Sequence, residues 1–408
     1  MNNKLSQKKS VHWRFHKLRL FLVFILVLVV VMGLTIIFPP TYSFSNELNN
    51  AYNSEKNIEK VDWKCPTDAK AAAVGTVELG VYKTCGTTNS LPTASMIKVL
   101  TSLVVLEKHP VAENDDGETI TITQDWIDQL EKTINEGGSN MWLELGEKVT
   151  FKQLLQGLIM LSGNNIADSF AKEYFGSFAE YKKAAQTYCK EHGLTQTTIG
   201  NDASGLDEGT TSSASDLTKI AILALNNPLL AEVVGTETAE LPYLGEITNI
   251  NKLITDYKGY IGLKTGYTDL AGHGVMFANK TKIDGQDVTI VGVVMNDDND
   301  YEAADSLVKQ AKKALEVTTL MTAGTVVGHL KYMGLERQKL VLDHDISVLR
   351  FKDQQVDLKM EQEADFSGQI TLSGDYGENR PIILGNSSAI VSGSFLGTAN
   401  KVKMKLFG

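Results

Sequence analysis

Twelve residues decide how this chain folds: Leu91-Pro-Thr-Ala-Ser-Met-Ile-Lys-Val-Leu-Thr-Ser102. Their composition predicts a buried helix from about Ser95 to Glu107, yet Lys98 stands among its apolar residues. A charge is costly to bury without a partner. Ser95 lies three residues before Lys98 and therefore on the same helical face. The stretch thus predicts a buried serine–lysine pair.

A serine and a lysine at this spacing can act together as nucleophile and base. A serine hydroxyl is a weak nucleophile until a base removes its proton, and burial can lower the pKa of a lysine enough for that role. The spacing alone is weak, because it recurs at Ser6–Lys9, Ser169–Lys172 and Ser306–Lys309. Only the pair at 95 is embedded in apolar sequence, and only this pair is predicted to be catalytic.

A second polar motif, Ser162-Gly163-Asn164, falls 67 residues after Ser95 in the break between two predicted helices. A second hydroxyl at this place could relay a proton to a leaving group. The amide of Asn164 could hold a substrate carbonyl. Taken alone, the motif is more typical of an ordinary helix–helix turn with a cap.

A third motif, Lys264-Thr265-Gly266, comes 102 residues after Ser162 in a predicted strand. Lys264 would supply positive charge and Thr265 a hydroxyl for a substrate carboxylate. Gly266 would let a substrate backbone approach closely, because glycine has no side chain to obstruct it.

Periodicity along the rest of the chain predicts an α+β fold, an antiparallel sheet packed with helices. Strands are predicted at 70–77, 81–84, 274–278 and 288–295, and helices at 151–161, 166–175, 213–226 and 301–316. Residues 321–408 alternate between apolar and polar in several places, which predicts a small C-terminal all-β domain.

The N-terminal part of the chain predicts a membrane anchor. Residues 1–19 form a basic tail, and Leu20–Phe38 is an uncharged apolar run of 19 residues. That length suits a transmembrane helix with a cytoplasmic N-terminus, because basic residues precede it. Residues 39–64 then form a linker, and a catalytic domain spans residues 65–320 outside the cell membrane.

Charge and cysteine content narrow the classes of function. The chain has a net charge of −10, and after residue 40 it holds 33 basic and 49 acidic residues, which argues against nucleic-acid binding. No histidine spacing typical of metal ligands occurs, so no metal and no cofactor are expected. An extracellular Cys65 and Cys85 could pair, but the sequence leaves this open. Cys189 is expected to be a buried thiol.

The order and spacing of the three motifs resemble penicillin-binding proteins and serine β-lactamases, and most closely the low-molecular-weight D-alanyl-D-alanine carboxypeptidases. The resemblance covers about residues 68–318. Further matching segments are Leu-Glu-Leu-Gly-Glu at 143–147, Asp-Ala-Ser-Gly-Leu-Asp at 202–207 and Gly-Leu-Lys-Thr-Gly-Tyr-Thr-Asp at 262–269. The resemblance implies a β-lactamase/transpeptidase-like fold.

The resemblance also implies a role for each motif residue. Ser95 is expected to be acylated, Lys98 to be its general base and Ser162 to relay a proton. The remaining motif residues would bind the substrate: Asn164, Lys264, Thr265, Gly266 and Tyr267. The backbone N–H groups of Ser95 and Tyr267 would form the oxyanion hole. Lys264 is further expected to help lower the pKa of Lys98. The expected partners are peptidoglycan stem peptides that end in D-Ala-D-Ala, with β-lactams as covalent inhibitors.

Three other functions are consistent with parts of this pattern. A class A β-lactamase would carry Glu-x-x-Leu-Asn between the second and third motifs, and no such pattern occurs from 164 to 264. A β-lactam sensor without activity is disfavoured because every motif position is intact. A DD-endopeptidase of the same fold stays open, although a trailing β domain favours the carboxypeptidase branch.

Overall fold

The computed structural model describes residues 19–27, 29–30, 41–44, 59–332, 335–342, 345–354, 357–362, 370–376, 380–381, 387–391 and 401–404. The chain divides into two compact units. The main unit comprises Glu59–Val317 with Arg350–Asp353. The second unit comprises Met1–Ile58, Thr318–Leu349 and Gln354–Gly408. All predicted site residues belong to the main unit.

The described helices are α1 (Lys98–Lys108), α2 (Gln124–Asn135), α3 (Phe151–Met160), α4 (Asn164–Phe175), α5 (Phe178–Glu191), α6 (Ala214–Leu225), α7 (Pro228–Val234), α8 (Lys252–Asp256) and α9 (Asp300–Ala314). The described strands up to residue 295 are β1 (Thr41–Phe44), β2 (Ala71–Thr76), β3 (Gly80–Gly86), β4 (Leu91–Pro92), β5 (Thr119–Thr121), β6 (Lys148–Thr150), β7 (Thr211–Ser212), β8 (Thr238–Leu241), β9 (Gly245–Thr248), β10 (Tyr260–Thr268), β11 (Gly272–Ile283) and β12 (Gln286–Met295). The described strands beyond α9 are β13 (Leu315–Met321), β14 (Val326–Tyr332), β15 (Leu335–Leu342), β16 (Ile346–Phe351), β17 (Asp357–Gln362), β18 (Ile370–Tyr376), β19 (Arg380–Pro381), β20 (Ser387–Val391) and β21 (Lys401–Met404).

A five-stranded antiparallel sheet forms the frame of the main unit, in the order β10-β11-β12-β2-β3. The β11–β12 hairpin turns at Asp284 and Gly285, both with positive φ, as the Asp-Gly signal predicts. Helices α6 and α9 both pack on the central strands β12 and β2. The predicted antiparallel sheet packed with helices is therefore confirmed.

Helix α1 runs through the core of the main unit and contacts α3, α4, α5 and α6. Every residue from Lys98 to Leu106 is buried. A helix that is buried on all sides needs apolar residues all round, which explains the composition of this segment. It also explains why the polar groups of Lys98 must find partners inside the protein.

The helix predicted from Ser95 is divided in the structure. Residues Ala94–Ile97 form a 3₁₀ turn, and α1 begins only at Lys98. Ala94 has φ 45°, in the left-handed region that an L-residue does not adopt within a helix. The α-helix therefore starts after the turn that carries Ser95.

Other predicted elements agree closely with the structure. The helix predicted at 151–161 is α3, which begins with a capping box between Thr150 and Gln153. The helix predicted at 213–226 is α6, with Ser213 as its N-cap. The helix predicted at 301–316 ends at Ala314, because Leu315 is extended and begins β13.

The second unit contains an eight-stranded sheet along β1-β14-β15-β20-β21-β18-β17, with β19 paired to β18. Strand β1 lies in the predicted linker and pairs antiparallel with β14. Its sequence Thr-Tyr-Ser-Phe has high strand propensity, although no strand was predicted there. The remaining parts of the predicted β domain at 321–408 lie outside the described residues, so this domain stays a prediction.

The predicted membrane segment is described in part. Residues 20–27 and 29–30 are helical with exposed side chains, and the others of Leu20–Phe38 lie outside the described residues, as do residues 1–18 of the basic tail. Within the described ranges, no single helix has the length and apolar composition needed to cross a bilayer. Helices α6 and α7 meet that test only as a pair, with a bend of 109° between them.

Candidate active site

The turn that carries Ser95 is fixed by close contacts on two sides. Strand β4 leads into it and pairs with β7. On one side, a Cβ atom placed on Gly266 would lie 3.1 Å from the Thr93 carbonyl oxygen and 3.2 Å from the Ala94 Cβ. On the other, Gly205 lies directly against the Ala94 carbonyl, and no side chain would fit there. Glycines at both positions let strand β10 and the 202–207 loop approach Ser95.

Lys98 lies at the centre of a buried polar cluster. Its Nζ atom is 2.6 Å from Ser95 Oγ, 2.6 Å from Asn164 Oδ1 and 3.4 Å from Ser162 Oγ. Lys98 has no exposed surface, and Ser162 and Asn164 are buried. The structure thus brings the first two predicted motifs together around one amine.

Ser162 reaches this cluster because the chain turns sharply between α3 and α4. Its φ of 60° is left-handed, and the N–H of Gly163 donates to the carbonyl of Gly157 over 3.1 Å. The N–H of Asn164 donates to the carbonyl of Ser139 over 2.8 Å. The turn is strained and held from outside, which is common where a protein positions functional groups.

The third motif lies on β10, at the edge of the sheet. Lys264 is buried, and its Nζ donates to the carbonyl of Thr265 over 3.0 Å. Thr265 is partly buried, and Tyr267 is 56% exposed. Gly266 contacts the turn of Ser95, so the motif borders the nucleophile. The oxyanion hole formed by the N–H groups of Ser95 and Tyr267 stays a prediction.

Burial controls the charge of both lysines. It lowers the pKa of Lys98 to about 7, against the opposing charges of Asp202 and Asp168, which raise it. Burial also lowers the pKa of Lys264 well below its ordinary value, and the charge of Lys98 lowers it further. Desolvation is the largest cause at both amines, so the expected effect of burial on Lys98 is confirmed, and the further contribution expected from Lys264 stays a prediction.

The three cysteines also have defined states. Cys65 and Cys85 form a disulfide with their Cα atoms 5.5 Å apart, which settles the question that the sequence left open. Cys189 is a free, buried thiol, as predicted, and burial raises its pKa to about 12. Among the described residues, no group of three or more histidine, cysteine, aspartate or glutamate side chains is arranged to hold a metal ion.

The other Ser-x-x-Lys pairs of the main unit have no comparable environment. Lys172 is exposed and donates to Gln129 Oε1. Lys309 is exposed and forms an ion pair of 2.6 Å with Asp305. Neither of these lysines is buried as Lys98 is.

The sequence interpretation assigned no role to Asp168, which is partly buried on α4 behind the cluster. Its position four residues after Asn164 places both side chains on one face of that helix. That spacing was visible in the sequence. Its main-chain partner, Ala203, could not be found from spacing, because it lies 35 residues away.

Comparisons with known proteins agree with this fold. The D-alanyl-D-alanine carboxypeptidase family model matches residues 81–299. The crystal structure of the Streptomyces K15 DD-transpeptidase is similar with a TM-score of 0.54 and 26% identity, over 61% of this chain and 98% of that chain.

Two curated relatives illustrate the range of names in this group. D-alanyl-D-alanine carboxypeptidase DacF of Bacillus subtilis is 34% identical over 185 residues, which cover 44% of this chain and 45% of that protein. D-alanyl-D-alanine endopeptidase of Escherichia coli is 29% identical over 211 residues, which cover 49% of this chain and 62% of that protein. The chain thus spans about half the length of the curated relatives it matches.

The fold and the serine–lysine site place this chain among the serine DD-peptidases and penicillin-binding proteins. Within that class, the chain belongs to the D-alanyl-D-alanine carboxypeptidase family.

Proposed function

We propose that this protein is a serine-type D-Ala-D-Ala carboxypeptidase that removes the terminal D-alanine from peptidoglycan stem peptides. The observation that carries the proposal is the contact of 2.6 Å between Lys98 Nζ and Ser95 Oγ inside a buried cluster. An amine whose pKa is about 7 is half neutral near physiological pH. It can therefore take the proton of the attacking hydroxyl.

Acylation begins with attack of Ser95 Oγ on the carbonyl carbon between the two D-alanines. The Ser95 proton moves to Lys98 Nζ as the C–O bond forms, and the N–H groups of Ser95 and Tyr267 stabilise the oxyanion. The C–N bond then breaks, and the leaving amine takes the proton from Lys98 through the Ser162 hydroxyl. Free D-alanine leaves, and the rest of the peptide stays as an ester on Ser95.

Deacylation uses the same groups with water as the nucleophile. Lys98 takes a proton from the water as the new C–O bond forms. The ester bond to Ser95 then breaks, and Ser95 Oγ regains a proton. The product is a stem peptide shortened by one D-alanine, and the enzyme returns to its starting state.

The third motif would recognise the terminal carboxylate of the substrate. Lys264 is buried beside Lys98, and its lowered pKa favours the neutral amine in the free enzyme. A carboxylate next to Lys264 would favour the charged form, because opposite charges stabilise each other. The hydroxyl of Thr265 could donate a hydrogen bond to the same carboxylate. Such a site would select peptides whose terminal carboxylate belongs to the D-alanine that is released.

β-Lactams would acylate Ser95 by the same attack. In that reaction, the amide of the lactam ring opens and its nitrogen stays attached, so no leaving group departs. The sequence lacks the Glu-x-x-Leu-Asn pattern by which class A β-lactamases hydrolyse this ester. We therefore expect a long-lived acyl-enzyme.

The location follows from the sequence and belongs to the same proposal. Leu20–Phe38 would anchor the chain in the cell membrane with its N-terminus in the cytoplasm, and the main unit would act outside. The all-β domain predicted at 321–408 would serve as a spacer or as a platform for partners. A substrate in the cell wall lies outside the cell membrane, so the main unit must be on that side to reach it.

Labelling with a fluorescent penicillin tests the nucleophile. Ser95→Ala should abolish covalent labelling of the full chain, because Ser95 Oγ lies 2.6 Å from Lys98 Nζ, closer than the Ser162 hydroxyl at 3.4 Å. Ser306→Ala is the matched control, since Ser306 has the same Ser-x-x-Lys spacing, and its labelling should equal that of the wild type. Labelling of Ser95→Ala at the wild-type rate would overturn the assignment.

A DD-endopeptidase is the second candidate, because a relative of similar identity carries that name. A pentapeptide that ends in D-Ala-D-Ala and a cross-linked muropeptide dimer distinguish the two activities. Release of D-alanine from the pentapeptide supports the carboxypeptidase. Cleavage of the dimer alone supports the endopeptidase, and cleavage of neither would indicate a sensor.

A further inference from the structure

A carboxylate behind the active site joins several of the elements that build it. Asp168 lies on α4, one turn beyond Asn164. Its Oδ1 accepts a hydrogen bond of 3.0 Å from the Ala203 N–H, and its Oδ2 accepts one of 3.1 Å from Gln129 Nε2 on α2. Gln129 is 3% exposed, so this bond is shielded from water.

Ala203 carries the connection onward to the helix of Lys98. Its carbonyl accepts a hydrogen bond of 2.7 Å from Thr101 Oγ1, one turn after Lys98 on α1. The hydroxyl of Tyr181 lies 2.8 Å from the same Thr101 oxygen. Ala203 is thus held through its N–H by α4 and through its carbonyl by α1.

The neighbouring Asp202 shapes the loop that supports the nucleophile. Its Oδ1 accepts hydrogen bonds from the N–H groups of Ser204 at 2.8 Å and Gly205 at 2.6 Å. Gly205 in turn lies against the Ala94 carbonyl, directly before Ser95. A shift of Ala203 would therefore be transmitted to the turn of the nucleophile.

Several charges act on Asp168 and Lys98 from the surrounding elements. Asp202 lies on the loop, Lys132 on α2 and Lys98 on α1, and each affects the pKa of Asp168, which burial raises to about 6. Asp168 and Asp202 both raise the pKa of Lys98, while burial lowers it. Lys264 lies near enough to Lys98 for the charge of Lys98 to lower its pKa. Lys172 donates to Gln129 Oε1, and Gln129 Nε2 donates to Asp168.

We propose that Asp168 is a positioning residue that sets the charge state of Lys98 and holds the 202–207 loop against the turn of Ser95. It acts through Lys98 and Ala203 and does not touch the substrate. The proposal rests on the role of Lys98 as general base.

The test is the pH dependence of Ser95 acylation by a fluorescent penicillin in the full chain. Asp168→Asn keeps the shape of the side chain and removes its charge, so Lys98 should lose its proton more readily. The acidic limb of the rate profile should move to lower pH by about half a unit or more. The variant should acylate about twofold to threefold faster than the wild type near pH 6.5.

The difference should be confined to one pH window. Above about pH 8, Lys98 is neutral in both proteins, and the rates should converge. Below pH 6, Asp168 of the wild type takes up a proton itself, and the rates should converge again. A purely structural defect would lower the rate at every pH and would produce no such window.

Asp216→Asn is the matched control. Asp216 is also a buried carboxylate, but on α6, where it accepts hydrogen bonds from the Gln196 N–H and the Thr197 hydroxyl. Its loss should reduce stability and leave the acidic limb in place. If Asp168→Asn does not fold, Gln129→Leu replaces it, because losing this donor disfavours the ionised carboxylate and should shift the limb in the same direction.

The outcomes separate this inference from the proposed function. The role of Asp168 alone is overturned if Ser95→Ala abolishes labelling but the acidic limb of the rate profile stays in place in Asp168→Asn. The same result in Gln129→Leu overturns it where that variant replaces Asp168→Asn. An equal shift in Asp216→Asn overturns it as well, because the effect would then not be specific. Labelling that persists in Ser95→Ala overturns the proposed function, on which the inference depends.

Discussion

At the scale of single residues, the buried amine of Lys98 affects both folding and chemistry. Its pKa falls from 10.5 to about 7 because burial disfavours the charged form. Between these two values the unfolded chain holds a proton that the folded protein has released. The lysine therefore lowers stability increasingly as pH falls through this window, and above pH 10.5 its effect on stability vanishes.

Replacing Lys98 should lower the activity and raise the stability of the protein. Lys98→Met should slow acylation of Ser95 by about 10²-fold to 10⁴-fold, which is the range of general-base contributions. The variant should be more stable than the wild type between pH 7 and pH 10.5. The difference in their free energies of unfolding should grow by about 1.4 kcal/mol for each unit by which the pH is lowered. Urea unfolding at pH 7.5 and pH 9.5 measures the difference. An advantage that is equal at both pH values would show that Lys98 is not neutral in the folded state.

The pH profile of the wild type reports the same group. In the proposed mechanism acylation requires neutral Lys98, so its rate should be half-maximal near pH 7, the pKa of this amine. Below that point the rate should fall, approaching tenfold for each pH unit. Stopped-flow measurement with a fluorescent penicillin gives the profile. A rate that stays constant down to pH 5 would exclude Lys98 as the base.

The sequence indicated which side chains come together at the candidate site better than it indicated their electrostatics. Ser95 and Lys98 are close in sequence, so helical spacing brings them together. The influence of Asp168 and Asp202 on Lys98 depends on a helix and a loop that only folding brings near this amine. Burial of both lysines was visible as apolar sequence, but its dominance over their mutual repulsion was not.

At the scale of elements, the site is formed where strand β10 meets the turn before α1. Gly266 allows this approach, because a Cβ there would lie within 3.2 Å of the Ala94 Cβ and Met96 Cγ. Contacts of that length require the neighbouring groups to move. The position of the third motif relative to Ser95 therefore depends on residue 266 being a glycine, which has no side chain.

Gly266→Ala should reduce acylation of Ser95 by about tenfold, because a 1 Å displacement at a reacting centre can cost even more. Gly285→Ala is the control, at the turn between β11 and β12, where a Cβ meets nothing within 4 Å. Its positive φ should cost about 1 kcal/mol of stability and leave the acylation rate unchanged. If Gly266→Ala labels at the wild-type rate, the close approach of β10 is not needed.

Five of the nine described helices were predicted from the sequence, and α2, α5, α7 and α8 were missed. Helix α5 begins after Ser177, whose hydroxyl accepts a hydrogen bond from the Glu180 N–H, and this signal was available in the sequence. Helix α2 buries Trp126, Gln129, Leu130 and Thr133 on one face, and this helical spacing was also visible in the sequence. The 3₁₀ turn at Ser95 could not be predicted, because the φ of Ala94 is imposed by the sheet and loop around it.

At the scale of the whole molecule, the disulfide between Cys65 and Cys85 closes a loop within the main unit. The two cysteines are 20 residues apart in sequence. Replacing both with alanine should lower the free energy of unfolding by about 3 kcal/mol, the loss expected for a loop of this length. Urea unfolding measures it, with reduced wild-type protein as the second sample. Equal stability of oxidised and reduced protein would contradict the prediction.

The central claim concerns the reaction itself, and release of D-alanine measures it most directly. The full chain is incubated with a pentapeptide that ends in D-Ala-D-Ala, and free D-alanine and the shortened peptide are quantified by mass spectrometry. We predict equal amounts of the two products from the wild type and none from Ser95→Ala. No D-alanine from a wild-type protein whose Ser95 is labelled by penicillin would contradict the carboxypeptidase.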